Sequence, residues 1–219
     1  RFACTACGKC CNHAPMMTLD EGYALSDVFI LSPELWFGPG DVDTHDTGHP
    51  HWQPPDVDFE LALEMHVRAL NWSRHIGACL ALDGKLCGIY ERRPQMCRVV
   101  PFDMHLKPEL VSPSPMFDEQ IAAQMGFECD WSDAAPVIVA PEGVVDAETR
   151  ADYEKGRELI RATQERLDYV PEHAIVQAWQ HFRRDQTAET ILPLVPLLLG
   201  DVATGRLSSG RAKEILENQ

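Results

Sequence analysis

Eight cysteines, unevenly distributed, constrain this 219-residue chain more than any other feature. They fall into a group of four near the start, a group of three within 19 residues and one remote member: Cys4, Cys7, Cys10 and Cys11; Cys79, Cys87 and Cys97; and Cys129. Cysteines that are buried only because they are small and apolar have no reason to cluster in this way. The clustering therefore indicates a chemical use of the thiols.

Clustered thiols have two common uses, disulfide bonding and metal ligation. Disulfide frameworks are typical of secreted chains that are too small to build a hydrophobic core, and this chain is long enough to build one. The Cys4-x-x-Cys7 step and the adjacent pair Cys10 and Cys11 are awkward for disulfide geometry but natural for a metal. Thiolate ligation of a soft metal is therefore the favoured interpretation, and a disulfide framework is the alternative.

The spacing of the first three cysteines bears on the kind of metal. In Cys4-x-x-Cys7-x-x-Cys10, three sulfur atoms gather round one point, because a tight turn places residues i and i+3 on the same side. The same spacing opens the cysteine run that feeds [4Fe–4S] clusters in bacterial ferredoxins, whereas zinc ribbons use pairs of cysteines. The sequence therefore favours an iron–sulfur cluster of the [4Fe–4S] type, with zinc as the alternative.

The adjacent pair Cys10 and Cys11 suggests more than one set of ligands. Neighbouring side chains usually diverge, so we expect the two thiols to serve different metals or different atoms of a polynuclear site. Eight thiolates then divide naturally into two sets of four. The spacing alone leaves open which thiol joins which set.

The residues between the cysteines are candidates for balancing the charge of the metal site. A four-thiolate zinc site and an oxidised [4Fe–4S] site are both negatively charged, so either needs cationic or N–H neighbours. Lys9, Arg93 and Arg98 stand among the cysteines and are predicted to supply this charge. Tyr90 follows Cys87 and is predicted either to donate its hydroxyl near the cluster or to pack.

Two linked motifs resemble the CxxCxxCC family. They are Phe2-x-Cys-x-x-Cys-Gly-x-Cys-Cys and Cys79-Leu-x-Leu-Asp-Gly-x-Leu-Cys-x-Ile-Tyr-Glu-x-Arg-Pro-x-x-Cys-Arg-x-x-Pro101. This family is described as zinc- or iron-chelating and includes the flagellin lysine N-methylases. The resemblance implies about eight metal-ligand cysteines, here Cys4, Cys7, Cys10, Cys11, Cys79, Cys87, Cys97 and Cys129. It leaves open whether the chain is a lysine N-methylase-like enzyme, or a zinc-stabilised interaction module or metal chaperone.

The charge and the apolar runs exclude some partners. The chain has 19 Lys and Arg against 34 Asp and Glu, a net charge of −15, and it has no basic stripe for a phosphate backbone. Its longest apolar run, Ile191 to Leu199, is too short to span a bilayer and contains Pro193 and Pro196. We therefore expect no nucleic-acid partner and no membrane span. The predicted protein is cytoplasmic and, as a metal-binding protein, acts in electron transfer or within a larger assembly.

Local patterns predict elements in the first part of the chain. Thr18-Leu-Asp-Glu21 is a capping box that predicts a helix from about Leu19 to Leu31. Residues 38–58 are turn-rich. Four apolar residues at helical spacing predict a helix from Phe59 to about His75, and Asp83-Gly84 predicts a hairpin over residues 76–91. A short helical turn is predicted to open at Arg93-Pro94, and another short helix at Ser114-Pro115.

The last part of the chain has helical periodicity. Asp146, Pro171 and Ser208 or Ser209 precede three apolar stripes and are predicted to start three helices. The predicted fold is α+β and mostly helical. An irregular, metal-organised cysteine-cluster domain with a β-hairpin spans residues 1–135, and a helical C-terminal region, which could dock a protein partner, spans residues 146–219.

Overall fold

The computed structural model describes residues 1–5, 7–12, 15–39, 49–70, 78–100, 108–111, 128–185 and 189–219. Their contacts divide the chain into two units. The first comprises the described residues of Arg1–Pro15 and Trp72–Glu158, and the second those of Met16–Asp43, Thr47–Asn71 and Leu159–Gln219. All eight cysteines belong to the first unit. The division into residues 1–135 and 146–219 that the sequence suggests stays a prediction.

The described elements range from strands of two residues to a helix of 18 residues. In chain order they are β1 (Met16–Met17), α1 (Leu19–Ala24), β2 (Leu31–Pro39), β3 (His51–Trp52), β4 (Leu61–Ala69), β5 (Leu82–Asp83), β6 (Leu86–Cys87), α2 (Gln95–Val99), β7 (Val139–Ala140), β8 (Gly143–Val144), α3 (Ala147–Gln164), α4 (Glu172–Asp185), β9 (Glu189–Ile191), α5 (Leu194–Ala203) and α6 (Ser209–Glu217). Short 3₁₀ turns cover Lys9–Asn12, Tyr90–Arg92, Pro108–Leu110 and Glu165–Tyr169. The predicted α+β class is confirmed, with more helix than strand.

The second unit is built on an antiparallel sheet. Its two long strands, β2 and β4, pair along their whole length, β1 and β3 pair with β4, and β9 pairs with β2. Between β1 and β3, the backbone of Met65 bonds the side-chain amide of Gln164 instead of a strand, at 2.8 Å for the N–H and 3.1 Å for the carbonyl. The side chain of Gln164 thus makes the backbone hydrogen bonds that a neighbouring strand would make at this position of β4.

The helix predicted from Phe59 is wrong, because residues 61–69 form the strand β4. Leu63 and Val67 are four residues apart, a spacing that places two side chains on one face of a strand as well as of a helix. Phe59 and Leu70, which would complete the helical stripe, are exposed outside the strand. Pairing with β2 over nine residues decided the outcome, and residues 71–75 of the predicted helix lie outside the described residues.

The helix starts predicted at Thr18, Asp146, Pro171 and Ser208 are confirmed. Thr18 and Glu21 form the expected capping box, although α1 ends at Ala24 rather than near Leu31, where β2 begins. Asp146 accepts a hydrogen bond of 2.9 Å from the N–H of Thr149 at the start of α3. The other two predicted starts also hold: α4 follows Pro171, and Ser208 caps α6. The helix predicted at Ser114-Pro115 lies outside the described residues.

No helix within the described ranges combines the length and the apolarity that are needed to cross a membrane. The apolar run that includes Ile191 to Leu199 instead forms the end of β9 and most of α5. Leu197 and Leu198 of this helix are buried, while Leu199 is exposed.

A buried ionic group lies on one face of the β2–β4 pair. The carboxylate of Glu34 accepts hydrogen bonds from His66 Nε2 at 3.2 Å and from Arg68 Nε at 3.0 Å. Burial raises the pKa of Glu34, but the hydrogen bond from His66 and the charge of Arg68 outweigh it and hold the pKa below its ordinary value of 4.5. The ionised carboxylate therefore stabilises the folded state.

Replacing Glu34 with Gln is expected to remove a pH-dependent part of the free energy of unfolding. Because the pKa of Glu34 is lower in the folded state, its contribution is fully present above pH 4.5 and is lost as the pH falls through the folded-state pKa. We expect Glu34→Gln to cost about 1–3 kcal/mol at neutral pH and less as the pH approaches 3. Urea unfolding across this pH range measures the difference, with Glu60→Gln, at the more exposed His51–Glu60 pair, as the control. Parallel pH profiles for wild type and Glu34→Gln would contradict the prediction.

Candidate metal centre

Cys4 and Cys129 are brought side by side by the backbone. Ala3 and Asp130, which are their chain neighbours, exchange two N–H···O hydrogen bonds of 2.9 and 3.0 Å. The hydroxyl of Thr5 adds a hydrogen bond of 2.7 Å to the carbonyl of the residue that precedes Cys129. The remote cysteine of the sequence is therefore tied to the first one.

An aromatic contact supports this backbone bridge. The rings of Phe2 and Trp131 meet edge to face, with their centroids 5.2 Å apart. Phe2 stands two residues before Cys4, and Trp131 stands two residues after Cys129. Sequence reasoning missed this pair, and the signal that could have revealed it is an aromatic residue at the same distance from each cysteine.

The 3₁₀ turn Lys9–Asn12 carries Cys10 and Cys11 against the hairpin segment. Gly8, which precedes the turn, has a φ of +74°, and a Cβ at this position would lie 3.0 Å from the carbonyl oxygen of Lys85. Only glycine meets both conditions without strain. The carbonyl of Cys11 then accepts a hydrogen bond of 2.6 Å from the N–H of Cys79, which fixes these two residues next to each other.

The predicted hairpin is confirmed, but its strands have only two residues each, and Asp83, predicted in the turn, pairs with Leu86. Leu82 pairs with Cys87, and Gly84 in the turn has a φ of +61°. The carbonyl of Cys79 accepts a hydrogen bond of 3.0 Å from the N–H of Leu82, so the backbone at Cys79 joins the base of the hairpin. Cys79 and Cys87 are thereby held in the same small structure.

Cys97 lies on α2, which begins after Pro94 as the Arg-Pro step predicts. This helix is anchored by Gln95, whose buried amide donates hydrogen bonds to the carboxylate and to the backbone carbonyl of Asp152 in α3, at 2.6 and 3.0 Å. The anchor places Cys97 on a fixed support rather than on irregular chain.

The thiols influence one another in two groups. The first contains Cys129, whose pKa is raised to about 11 by burial and then by the charges of Cys7, Cys4 and Cys10. In the second, the pKa of Cys11 is raised by its hydrogen bond to Cys10, by burial and by the charges of Cys79 and Cys97.

The pKa values of Cys79 and Cys10 are shifted as well. Burial raises the pKa of Cys79, and the charges of Cys87 and Cys10 add to the effect. The hydrogen bond from the thiol of Cys11 and, to a smaller extent, the positive charge of Arg93 lower the pKa of Cys10 to about 6. Cys10 is thus the thiol whose charge acts on both groups.

The donor set fits a thiophilic metal. All eight cysteines are free thiols, of which Cys4 and Cys10 are exposed and the others are half-buried. Like charges on neighbouring thiols oppose ionisation of Cys11, Cys79 and Cys129, and a bound cation would relieve this effect. Across the described ranges, no three His, Cys, Asp or Glu side chains are arranged as the ligands of one ion.

Of the four residues predicted to surround the metal, Arg93 combines an aromatic contact with a buried donor atom. Its guanidinium lies over the ring of Tyr90, 4.0 Å from the centroid. Its Nε is buried and has no hydrogen-bond acceptor in the part of the chain that the structure describes. Arg98 instead donates to the carbonyl of Glu91 at 2.6 Å, and Lys9 lies in the 3₁₀ turn. Their roles at a metal stay predictions.

Free thiols gathered on short, irregular elements are the arrangement of a metal-chelating domain. The chain belongs to the CxxCxxCC family, whose model is described as "Putative zinc- or iron-chelating domain" and matches residues 3–129. The matched segment contains all eight cysteines, so the family indicated by the motifs is confirmed. No curated protein and no solved structure matched the chain.

Proposed function

We propose that the cysteine cluster holds an iron–sulfur cluster, with [4Fe–4S] as the first choice, for electron transfer or within a larger assembly. The observation that carries this proposal is the gathering of all eight free thiols in one unit. The spacing of Cys4, Cys7 and Cys10 supports iron–sulfur over zinc. The same thiolates would also suit zinc, which is the alternative metal.

The surroundings of Cys10 support an anionic metal group there. The positive charge of Arg93 acts on this thiol, and the buried Arg93 Nε–H is available as a donor. An unsatisfied buried donor costs about 1–3 kcal/mol, so an acceptor at this place would stabilise the protein. The ring of Tyr90 lies against this guanidinium.

An iron–sulfur cluster, when bound, supplies one-electron transfer. This chain would supply the thiolates, the compensating charge of Arg93 and a partly exposed edge. Cys4 and Cys10 are exposed, so the edge of the site that they form is open to an electron-transfer partner. The six half-buried thiols would keep the rest of the site away from water.

Metal analysis of protein purified without oxygen tests this proposal. We expect iron together with acid-labile sulfide, and a brown colour that bleaches on reduction. A triple variant in which Cys4, Cys7 and Cys10 are replaced by Ser is the control and should lose at least half of the colour. Colourless protein with zinc and no sulfide would overturn the first choice in favour of zinc. Protein with neither metal would overturn metal binding itself.

A further inference from the structure

We infer that the eight cysteines form two four-thiolate metal sites that meet at the Cys10–Cys11 peptide. The first, the N-terminal site, comprises Cys4, Cys7, Cys10 and Cys129. The second, the hairpin site, comprises Cys11, Cys79, Cys87 and Cys97. This inference deepens the proposed function and rests on it, because it assigns thiols to sites whichever metal is bound.

The N-terminal site rests on backbone geometry. The two hydrogen bonds between Ala3 and Asp130 hold Cys4 beside Cys129, although 125 residues separate them in the chain. Cys7 and Cys10 follow Cys4 at three-residue spacing, which gathers their sulfur atoms around that of Cys4. A metal bound by Cys4 and Cys129 would join the two ends of the segment that the family model matches, residues 3–129.

The hairpin site rests on a different set of contacts. The N–H of Cys79 bonds the carbonyl of Cys11, and the pairing of Leu82 with Cys87 brings the second cysteine of the hairpin to the same place. Cys97, on α2, is the one thiol that remains, and we assign it to this site as the fourth ligand.

The two proposed sites meet at the 3₁₀ turn that contains Cys10 and Cys11. Such a turn has three residues per turn, so consecutive side chains point about 120° apart. Cys10 is exposed and Cys11 is half-buried. The two sites would thus be neighbours, and one peptide unit would connect a ligand of each.

Paired substitutions test the assignment on the full-length protein. We expect Cys129→Ser and Cys79→Ser each to lose about half of the metal per chain. The double variant Cys4→Ser/Cys129→Ser should lose no more metal than Cys129→Ser, because both changes fall in one site. The double variant Cys79→Ser/Cys129→Ser should lose nearly all metal. Equal losses in the two double variants would overturn the inference.

A second measurement uses the wild-type protein, so its result does not depend on whether a cysteine variant folds. As a chelator removes the metal stepwise, thiols that share a site should become reactive to an alkylating reagent together. Mass spectrometry should then find the four thiols of each site alkylated as a set. Release of all eight thiols together, or in other sets, would overturn the inference while leaving the proposed function intact. Protein isolated without metal would overturn both.

Discussion

Replacing Arg166 with Met is expected to lower the free energy of unfolding by about 3–5 kcal/mol, because it leaves a buried carboxylate without its partner. Arg166 Nε lies 3.1 Å from Asp201 Oδ1, and the two side chains are only 3% and 1% exposed. The same guanidinium bonds Asp20 and the carbonyl of Ala162. It therefore joins α1, the end of α3 and α5 within the second unit.

Urea unfolding of the metal-replete protein measures this effect. The matched control is Arg206→Met, which breaks the exposed pair with Glu165 (2.8 Å) and should cost less than about 1 kcal/mol. Replacing Arg166 by Met and Asp201 by Leu together should recover part of the loss, because the buried charge is then absent. Equal costs for the variants at Arg166 and Arg206 would contradict the prediction.

Removal of the metal is expected to unfold the cysteine segments and to leave the second unit folded. The hairpin strands have two residues each, and both Leu86 in β6 and Leu80 before β5 are exposed, so little apolar burial stabilises this segment. A hairpin of this size is not stable by itself in water. Metal ligands on such a chain contribute binding energy directly to folding.

Limited proteolysis with trypsin, before and after chelation, measures this change. The first cuts in the chelated protein should fall at Lys9, Lys85 and Arg98, while Arg211 and Lys213 in α6 should stay protected. Adding the metal back should restore protection of the cysteine segments. First cuts in α6, with the cysteine segments still resistant, would contradict the prediction.

Helix starts were predictable because their cause is local. Asp146, Thr18 and Ser208 each accept a hydrogen bond from a backbone N–H within three residues, so the sequence window contains both partners. The hairpin turn is local in the same sense, since Gly84 supplies the positive φ that the turn needs.

The strand β4 was not predictable in this way. Its apolar residues satisfy helical spacing and strand spacing alike, and the choice depends on pairing with β2, which begins 30 residues earlier. Hydrogen bonds between distant segments decide such cases, and no local pattern records them.

For the candidate metal centre, the sequence by itself determined the clustering of the cysteines and the family, because spacing and residue type are present in the motifs. The role of the eight cysteines as metal ligands, and the assignment of Cys10 and Cys11 to different sites, stay predictions. Only the tertiary structure decided which thiols are neighbours. Cys129 joins Cys4 through backbone bonds between segments that lie 125 residues apart, and Cys11 joins Cys79 in the same manner. Such contacts form only when distant segments pair, because a long stretch of chain between two residues does not fix the distance between them.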